Sequence, residues 1–352
     1  MKLHQRIANP QPQFWVVIVL ACVALVLLFF SITSQRATRE DAWFDENEQS
    51  LYDNSQEQQE AEVSTPSPEE STPPTVSLLF GGDLQFDRHI RQKAEAAGGY
   101  AFIFEDLTDL FLESDGVIAN LEGPVTEYDS VSVGSAVGSS NNFIFTFSPK
   151  IIPVLQSHGF TLLNIGNNHI LNFGMDGLEQ TEQNLKRADL AYWGNSGKET
   201  WLHDSFTIYR QNGVTLLFVN YNEFLYTDIE ALLSEMTEQK AAIAPDFMVV
   251  YTHWGVEYET TAGPRYQERA ADFVAAGADL IIGSHPHVVQ QSERIGDAIV
   301  YYSLGNFVFD QYFEPAVQQG LLVKATFTTG EGIAVEEYPI LLERSGQTIL
   351  SR

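Results

Sequence analysis

"IIGSHPHVVQ", residues 281–290, sets His285 and His287 on either side of a proline, directly after an apolar run and a glycine. Neither a turn nor a core requires two imidazoles there. The carboxyl end of a strand in an open α/β sheet, by contrast, is where ligands sit. Worked outward from this stretch, the chain repeats the pattern. "TVSLLFGGD" is an apolar run stopping at Asp83, and "DGVIANLEG" stops at Asn120 and Glu122. "FTLLNIGNNH" ends at Asn168 and His169, and "PDFMVVYTHWG" reaches His253. Helical spacing falls between these runs, in "FEDLTDLFLES", "SPKIIPVLQSHG", "MDGLEQTEQNLKRADL" and "RYQERAADFVAAGA". Such alternation predicts a layered α/β domain whose strands deliver Asp, Glu, Asn or His to one edge. "VTLLFVNYNE" reads as a further strand, and "DAIVYYSLGNFVFD" brings a polar turn at Asn306. The alternating apolar residues of "NNFIFTFSP" also predict a strand.

The only cysteine, Cys22, lies in the apolar N-terminal segment, so a metal in the rest of the chain has to be held by nitrogen and oxygen. Neutral imidazoles with carboxylates suit Zn, Mn, Fe or a similar divalent ion, and two ions about 3.5–4 Å apart can clamp an in-line phosphoryl displacement. Each residue has a plainer reading. Asp83 could cap a following helix, Asn167 suits a turn that tolerates positive φ, and His253 could be a core imidazole bonded to a carbonyl. Arg88 could hold a substrate phosphate or carboxylate, or form an ordinary salt bridge. His158 and His203 have no motif around them and read as surface residues.

With 352 residues and 44% hydrophobic content the chain can bury a sizeable core. Its formal charge of −28 repels phosphate backbones and excludes nucleic acid as a partner. Residues 14–32 are nineteen without a charge, close to the roughly 20 that cross a bilayer as a helix. A cleaved signal peptide is the competing reading, but its apolar region is usually only about 7–15 residues. The domains expected are therefore a tail and single membrane anchor at 1–32, an acidic Pro/Ser/Gln-rich disordered linker at 33–75, and a folded domain at 76–352. Lys2 and Arg6 against Arg36 and Arg39 leave the positive-inside count tied. A short inner tail and a translocated domain are expected, making this a single-pass cell-membrane protein with its folded part outside the cytoplasm. With +2 on residues 1–32 and −9 on 33–75, the folded part carries −21.

Six ordered blocks, "GGDLQFDR", "NLEGPVT", "GNNHILNFG", "HWGVEY", "GADLIIGSHPHVVQ" and "YSLGNFVFD", resemble the CapA family of capsule or poly-γ-glutamate synthesis proteins. That family in turn looks like part of the calcineurin-type metallophosphoesterase superfamily. The resemblance covers residues 76–309 and implies a four-layer fold, a β-sandwich flanked by helices, with two divalent ions held on the loops after the strands. It implies that Asp83 and His287 serve one ion and Asn168, His253 and His285 the other, with Glu122 between them, joined by Asn120 at the substrate side. His169 would protonate the leaving oxygen, and Arg88 matches the family's arginine five residues after the first Asp. Two departures stand out. Gln85 replaces the His of the superfamily's Asp-x-His, removing one ligand of the first ion, and Asn172 stands where a carboxylate would orient His169. Two functions remain open. One is a membrane-tethered metal-dependent hydrolase or transferase acting on phosphoesters or an activated polymer precursor. The other is a non-catalytic subunit that grips an anionic polymer or docks on a membrane synthase.

Overall fold

The computed structural model describes residues 72–351. The membrane span expected at residues 14–32 and nearly all of the linker expected at 33–75 lie outside the described residues. Among those described, no helix is long and apolar enough to cross a membrane.

Fourteen strands form two sheets. They are β1 (Thr75–Leu84), β2 (Gly116–Leu121), β3 (Phe160–Asn164), β4 (Ala191–Trp193), β5 (Phe206–Gln211), β6 (Val214–Asn222), β7 (Phe247–His253), β8 (Leu280–Ser284), β9 (Ser292–Ile295), β10 (Ala298–Tyr301), β11 (Asn306–Val308), β12 (Gln319–Thr328), β13 (Gly332–Leu342) and β14 (Thr348–Leu350). The first sheet runs β14-β13-β12-β1-β2-β3-β4, with β11 also on β1; the second runs β5-β6-β7-β8-β10-β9. β1 to β4 pair in parallel, as do β6, β7, β8 and β10. Helices Arg88–Ala97, Ile151–Ser157, Gly174–Arg187, Ile229–Ile243 and Pro264–Ala275 lie between them in the chain.

Period-two alternation builds the layers. Val76, Leu78 and Phe80 of β1 meet Leu216 and Phe218 of β6, Val249 and Tyr251 of β7 and Leu280 and Ile282 of β8 in a core between the sheets. The intervening residues point outward. Leu79 and Leu84 pack with Ile90, Leu155, Leu178 and Leu185 of the helices. Leu217, Val250 and Ile281 pack with Leu232, Met236 and Phe273 on the far side. The result is helices, sheet, sheet, helices, four layers deep.

Parallel pairing brings the strand ends level. Asp83 pairs with Asn120 on one side and Asn306 on the other, while Asn222, His253 and Ser284 align across the second sheet. Two glycines permit the close approach this requires. A Cβ on Gly82 would sit 1.9 Å from the Gly305 carbonyl oxygen, and one on Gly283 would sit 1.9 Å from that of Tyr302. Each immediately or nearly precedes a residue of the site, so the apolar runs end in glycine because backbones touch there.

Two sequence expectations are corrected. "NNFIFTFSP" is not a strand: Ser140–Phe143 is a 3-10 turn, and the following residues make only a single bridge, Phe147 to Val125. Of its three rings only Phe145 packs against the site, on His169; Phe147 packs on Phe86 in the core and Phe143 is exposed. His158 is half-buried, its ring 5.4 Å from that of Phe104 and its Nδ1 2.7 Å from the Val154 carbonyl, because it closes the helix Ile151–Ser157 over an aromatic core. His203 is exposed as expected.

Candidate metal centre

Side chains from both sheets meet at the shared edge in two overlapping groups: Asp83, Glu122 and His287, and Glu122, His253 and His285. In each group one ligand atom per residue lies within 4.8 Å of the others, and all are buried. Glu122 belongs to both.

The hydrogen bonds fix which nitrogens face inward. Ser284 Oγ donates to the Thr252 carbonyl at 2.9 Å, so it has only lone pairs for His253 Nδ1 at 3.0 Å. The Asn120 amide nitrogen is also 3.3 Å from His253 Nδ1, but it donates to Asp83 at 2.8 Å, so the shorter Ser284 contact decides and His253 carries its proton on Nδ1. Its bare Nε2 lies 2.9 Å from Asn168 Oδ1 and 4.0 Å from Glu122 Oε1. Likewise, the Asn306 amide donates to the carbonyls of His287 and Val317, leaving its Oδ1 to accept from His287 Nδ1 at 3.0 Å. That turns the lone pair of His287 Nε2 inward, 3.8 Å from Glu122 Oε1. Lone pairs facing lone pairs without a proton between them are what a cation resolves.

Electrostatics agree. Both Glu122 oxygens and His285 Nδ1 are buried with no hydrogen-bond partner. Burial first, then the charge of Asp83, pushes the Glu122 carboxyl well above the ordinary range. Burial also works to raise Asp83, but the hydrogen bond from His287 Nδ1, 3.3 Å away, outweighs it, helped by the imidazole of His253 and the Asn120 amide, and its carboxyl is held well below the usual range. Desolvation drives His253 down to about 3 and His285 further. Neutral imidazoles beside one ionised and one unpartnered carboxyl form a nitrogen and oxygen donor set that fits divalent ions.

Backbone strain gathers at the same place. Of seven non-glycine residues with positive φ among the described residues, four line this region: Arg88 at 48°, Tyr258 at 67°, His285 at 97° and His287 at 59°. Such conformations cost about 1–3 kcal/mol each and persist where surrounding structure over-determines them. Pro286 sits between two of them, and the Asp83 carboxylate accepts from the His285 N–H at 3.0 Å.

The remaining expected residues fall around this centre. His169 Nε2 is 3.9 Å from Glu122 Oε1, its ring packs 4.4 Å from Phe145, and its Nδ1 lies 3.1 Å from Asn172 Oδ1. Burial lowers it to about 4. Because Asn172 Oδ1 already accepts from the Phe145 N–H at 2.8 Å, it takes the imidazole proton as well, and His169 is neutral with a bare Nε2 near pH 7. Asn120, expected at the substrate side, is fully buried. Its amide donates to Asp83 at 2.8 Å and accepts from Asn164 and Asn167 at 3.0 and 3.1 Å. Every polar atom is committed to protein, which makes Asn120 a brace behind Asp83. Arg88 pairs with Asp310 and donates to the Asn142 carbonyl, its guanidinium over the rings of Phe145 and Phe309. Both faces of the plainer reading are thus present, and a cleft of about 370 Å³ opens beside it, lined by His89, Asn142, Tyr258 and Phe313.

Ser284, Asn164 and Phe145 were not singled out by sequence. Ser284 was legible only as the residue before a strand-end histidine, and Asn164 only as one more asparagine in "NIGNN". We expect Ser284→Ala to weaken Zn(II) binding about 10–100-fold, as loss of an orienting partner does, read by competition against a chromogenic chelator. Unchanged affinity would remove Ser284 from the tautomer argument.

Comparison with known proteins places the chain in context. The family model described as "Bacterial capsule synthesis protein PGA_cap" matches residues 77–311. "Capsule biosynthesis protein CapA" of Bacillus anthracis is 30% identical over 67% of this chain and 60% of its own length. "PGA biosynthesis protein CapA" of Bacillus subtilis (strain 168) is 29% identical over 67% of this chain and 64% of its own. The chain thus spans less than two-thirds of either relative. Among solved structures, Haemophilus influenzae NAD nucleotidase (NadN) overlaps 79% of this chain and 60% of its own, at 11% identity and a TM-score of 0.46.

Proposed function

The chain belongs to the CapA family of bacterial capsule synthesis proteins, PGA_cap, and from that footing we propose that it is a metal-dependent hydrolase or transferase of the metallophosphoesterase type. Its role would lie in capsule or poly-γ-glutamate biosynthesis or export. The observation that carries this reading is Glu122, a buried carboxylate with no donor on either oxygen, set between two groups of inward-facing nitrogens. Asp83 and His287 would hold one divalent ion, Asn168, His253 and His285 the other, and Glu122 would touch both. When bound, such ions supply Lewis acidity at a phosphoryl oxygen and a lowered water pKa.

The chain's own groups do the rest. Asn120 keeps Asp83 aimed inward, and Ser284 and Asn306 keep two imidazoles in the tautomer that presents Nε2. His169, neutral at rest, would take at Nε2 the proton that the attacking water gives up and pass it to the departing oxygen, acting as a proton relay rather than a standing acid. Arg88, held by Asp310, faces the neighbouring cleft and favours an anionic group there. Membrane attachment through residues 14–32, an extracytoplasmic domain, an anionic polymer or phosphoester substrate and a membrane synthase partner complete the proposal.

One observation favours a non-catalytic polymer-binding or synthase-docking subunit: burial lowers His169 to about 4, and Asn172, which bonds its Nδ1, brings no charge that would stabilise an imidazolium. The readings separate on the purified full chain loaded with Mn(II) or Zn(II) and assayed on simple phosphodiesters. The enzyme reading expects metal-dependent turnover that falls about 100-fold or more in His169→Ala, the usual range for a proton-transfer group. Bound metal with no turnover on any phosphoester would favour the subunit instead.

A further inference from the structure

The stretch Asp83–Asp87, "DLQFD", alternates strictly. Leu84 and Phe86 are fully buried in the helix-side core. Asp83, Gln85 and Asp87 therefore take the opposite side of the extended backbone. Asp83 enters the metal centre, and Asp87 is consumed by Arg91, Ser132 and the Thr146 N–H. Gln85 lies between them. Its N–H donates to the Val308 carbonyl at 2.8 Å, keeping the backbone extended beside β11. The side chain is 0% exposed, and neither its Oε1 nor its Nε2 has a hydrogen-bond partner. A glutamine that merely filled space would leave both ends of an amide desolvated with nothing in return. The other side chain with two such atoms among the described residues is Glu122.

We propose that Gln85 Oε1 is an inner ligand of the ion held by Asp83, Glu122 and His287, supplying the position that the missing histidine vacates. This rests on the metal-centre reading above and adds a difference between its halves. One ion then meets three oxygens and one nitrogen, a seat for a hard cation such as Mn(II) or Mg(II). The other meets Glu122 and Asn168 oxygens with two imidazoles, which suits Zn(II) or Fe(II). The glutamine is thus a selectivity device rather than a lost ligand.

The test uses the full chain, stripped with EDTA and titrated with MnCl2, with free Mn(II) read by electron paramagnetic resonance and unfolding followed in parallel. Wild type should bind two Mn(II) ions, and failure to bind any would sink the metal-centre reading itself. In Gln85→Leu one ion should bind at least about tenfold more weakly, while the melting temperature in EDTA stays level or rises because an unpartnered amide has gone. Gln85→His should restore the second ion and shift its preference towards Zn(II). Wild-type Mn(II) binding in Gln85→Leu, or a lower melting temperature in EDTA with both ions retained, would show a structural glutamine bonded to water and overturn the proposal. Should the leucine variant not fold, Gln85→Asn draws the oxygen back by one methylene and should show the same weakening; unchanged binding there is equally decisive.

Discussion

Glu122→Gln is expected to abolish tight metal binding at both halves of the centre and, in chelated protein, to stabilise the fold. The two effects have one cause. A carboxylate shared by two ion sites contributes charge to each, and an amide contributes none, so affinity should fall at least about 100-fold, beyond what loss of an outer partner costs. Without metal the same carboxyl is a liability. Its folded pKa is raised well above 4.5, burial being the chief cause. The folded chain then holds a proton that the unfolded chain releases, so stability falls as pH rises through and beyond 4.5 at up to about 1.4 kcal/mol per pH unit. At pH 7 the variant should be more stable than wild type in EDTA, measured as a rise of the urea midpoint. A variant less stable than wild type in EDTA would mean that Glu122 has a partner after all.

Acid should unfold the metal-free chain steeply, and its histidines set the sign. His253 is lowered to about 3, His169 to about 4 and His285 below both, in each case mainly by burial. Unfolded histidines titrate near 6.5. As pH drops below that value the unfolded chain gains three protons that the folded chain refuses, which costs stability. Glu122 opposes with one. The balance of about two protons corresponds to roughly 2–3 kcal/mol lost per pH unit between about pH 6.5 and 4.5. Above 6.5 the histidine term is spent and the Glu122 term, where it acts, has the opposite sign, so the steep loss in EDTA is confined to the acid side of pH 6.5. Asp83, depressed instead, adds its own loss only below its ordinary value. Urea melts from pH 5 to 8 test this; a flat profile between pH 6 and 5 would mean these imidazoles are hydrated.

Much of this arrangement was legible because strand ends are short-range grammar: an apolar run, a glycine, then a polar side chain on the next outward position. Asp83 and His285 follow that rule, Glu122 and His253 close their apolar runs without the glycine, His287 lies two residues beyond His285, and the structure brings all five together. Roles that depend on a partner distant in sequence were hidden. Asn120 looked available to substrate, but Asn164 and Asn167 from another strand saturate it. Arg88 could not reveal Asp310, 222 residues away. The aromatic alternation of "NNFIFTFSP" mimicked a strand although its rings have separate destinations, Phe143 in solvent, Phe145 on His169 and Phe147 on Phe86. Strands β12 to β14 escaped notice, β13 in particular because Glu336 and Glu337 stand side by side and Pro339 follows in a largely exposed strand, which breaks the alternation.

The two sheets divide the inward-facing donors by element: Asp83 lies in a strand of the first and Glu122 and Asn168 follow others, while His253, His285 and His287 end or follow strands of the second. Ions seated between them would rivet one leaf of the sandwich to the other. Chelation should then slacken the seam at its mouth, where the joint resists shear, and leave the far rim of the sandwich as firm as before.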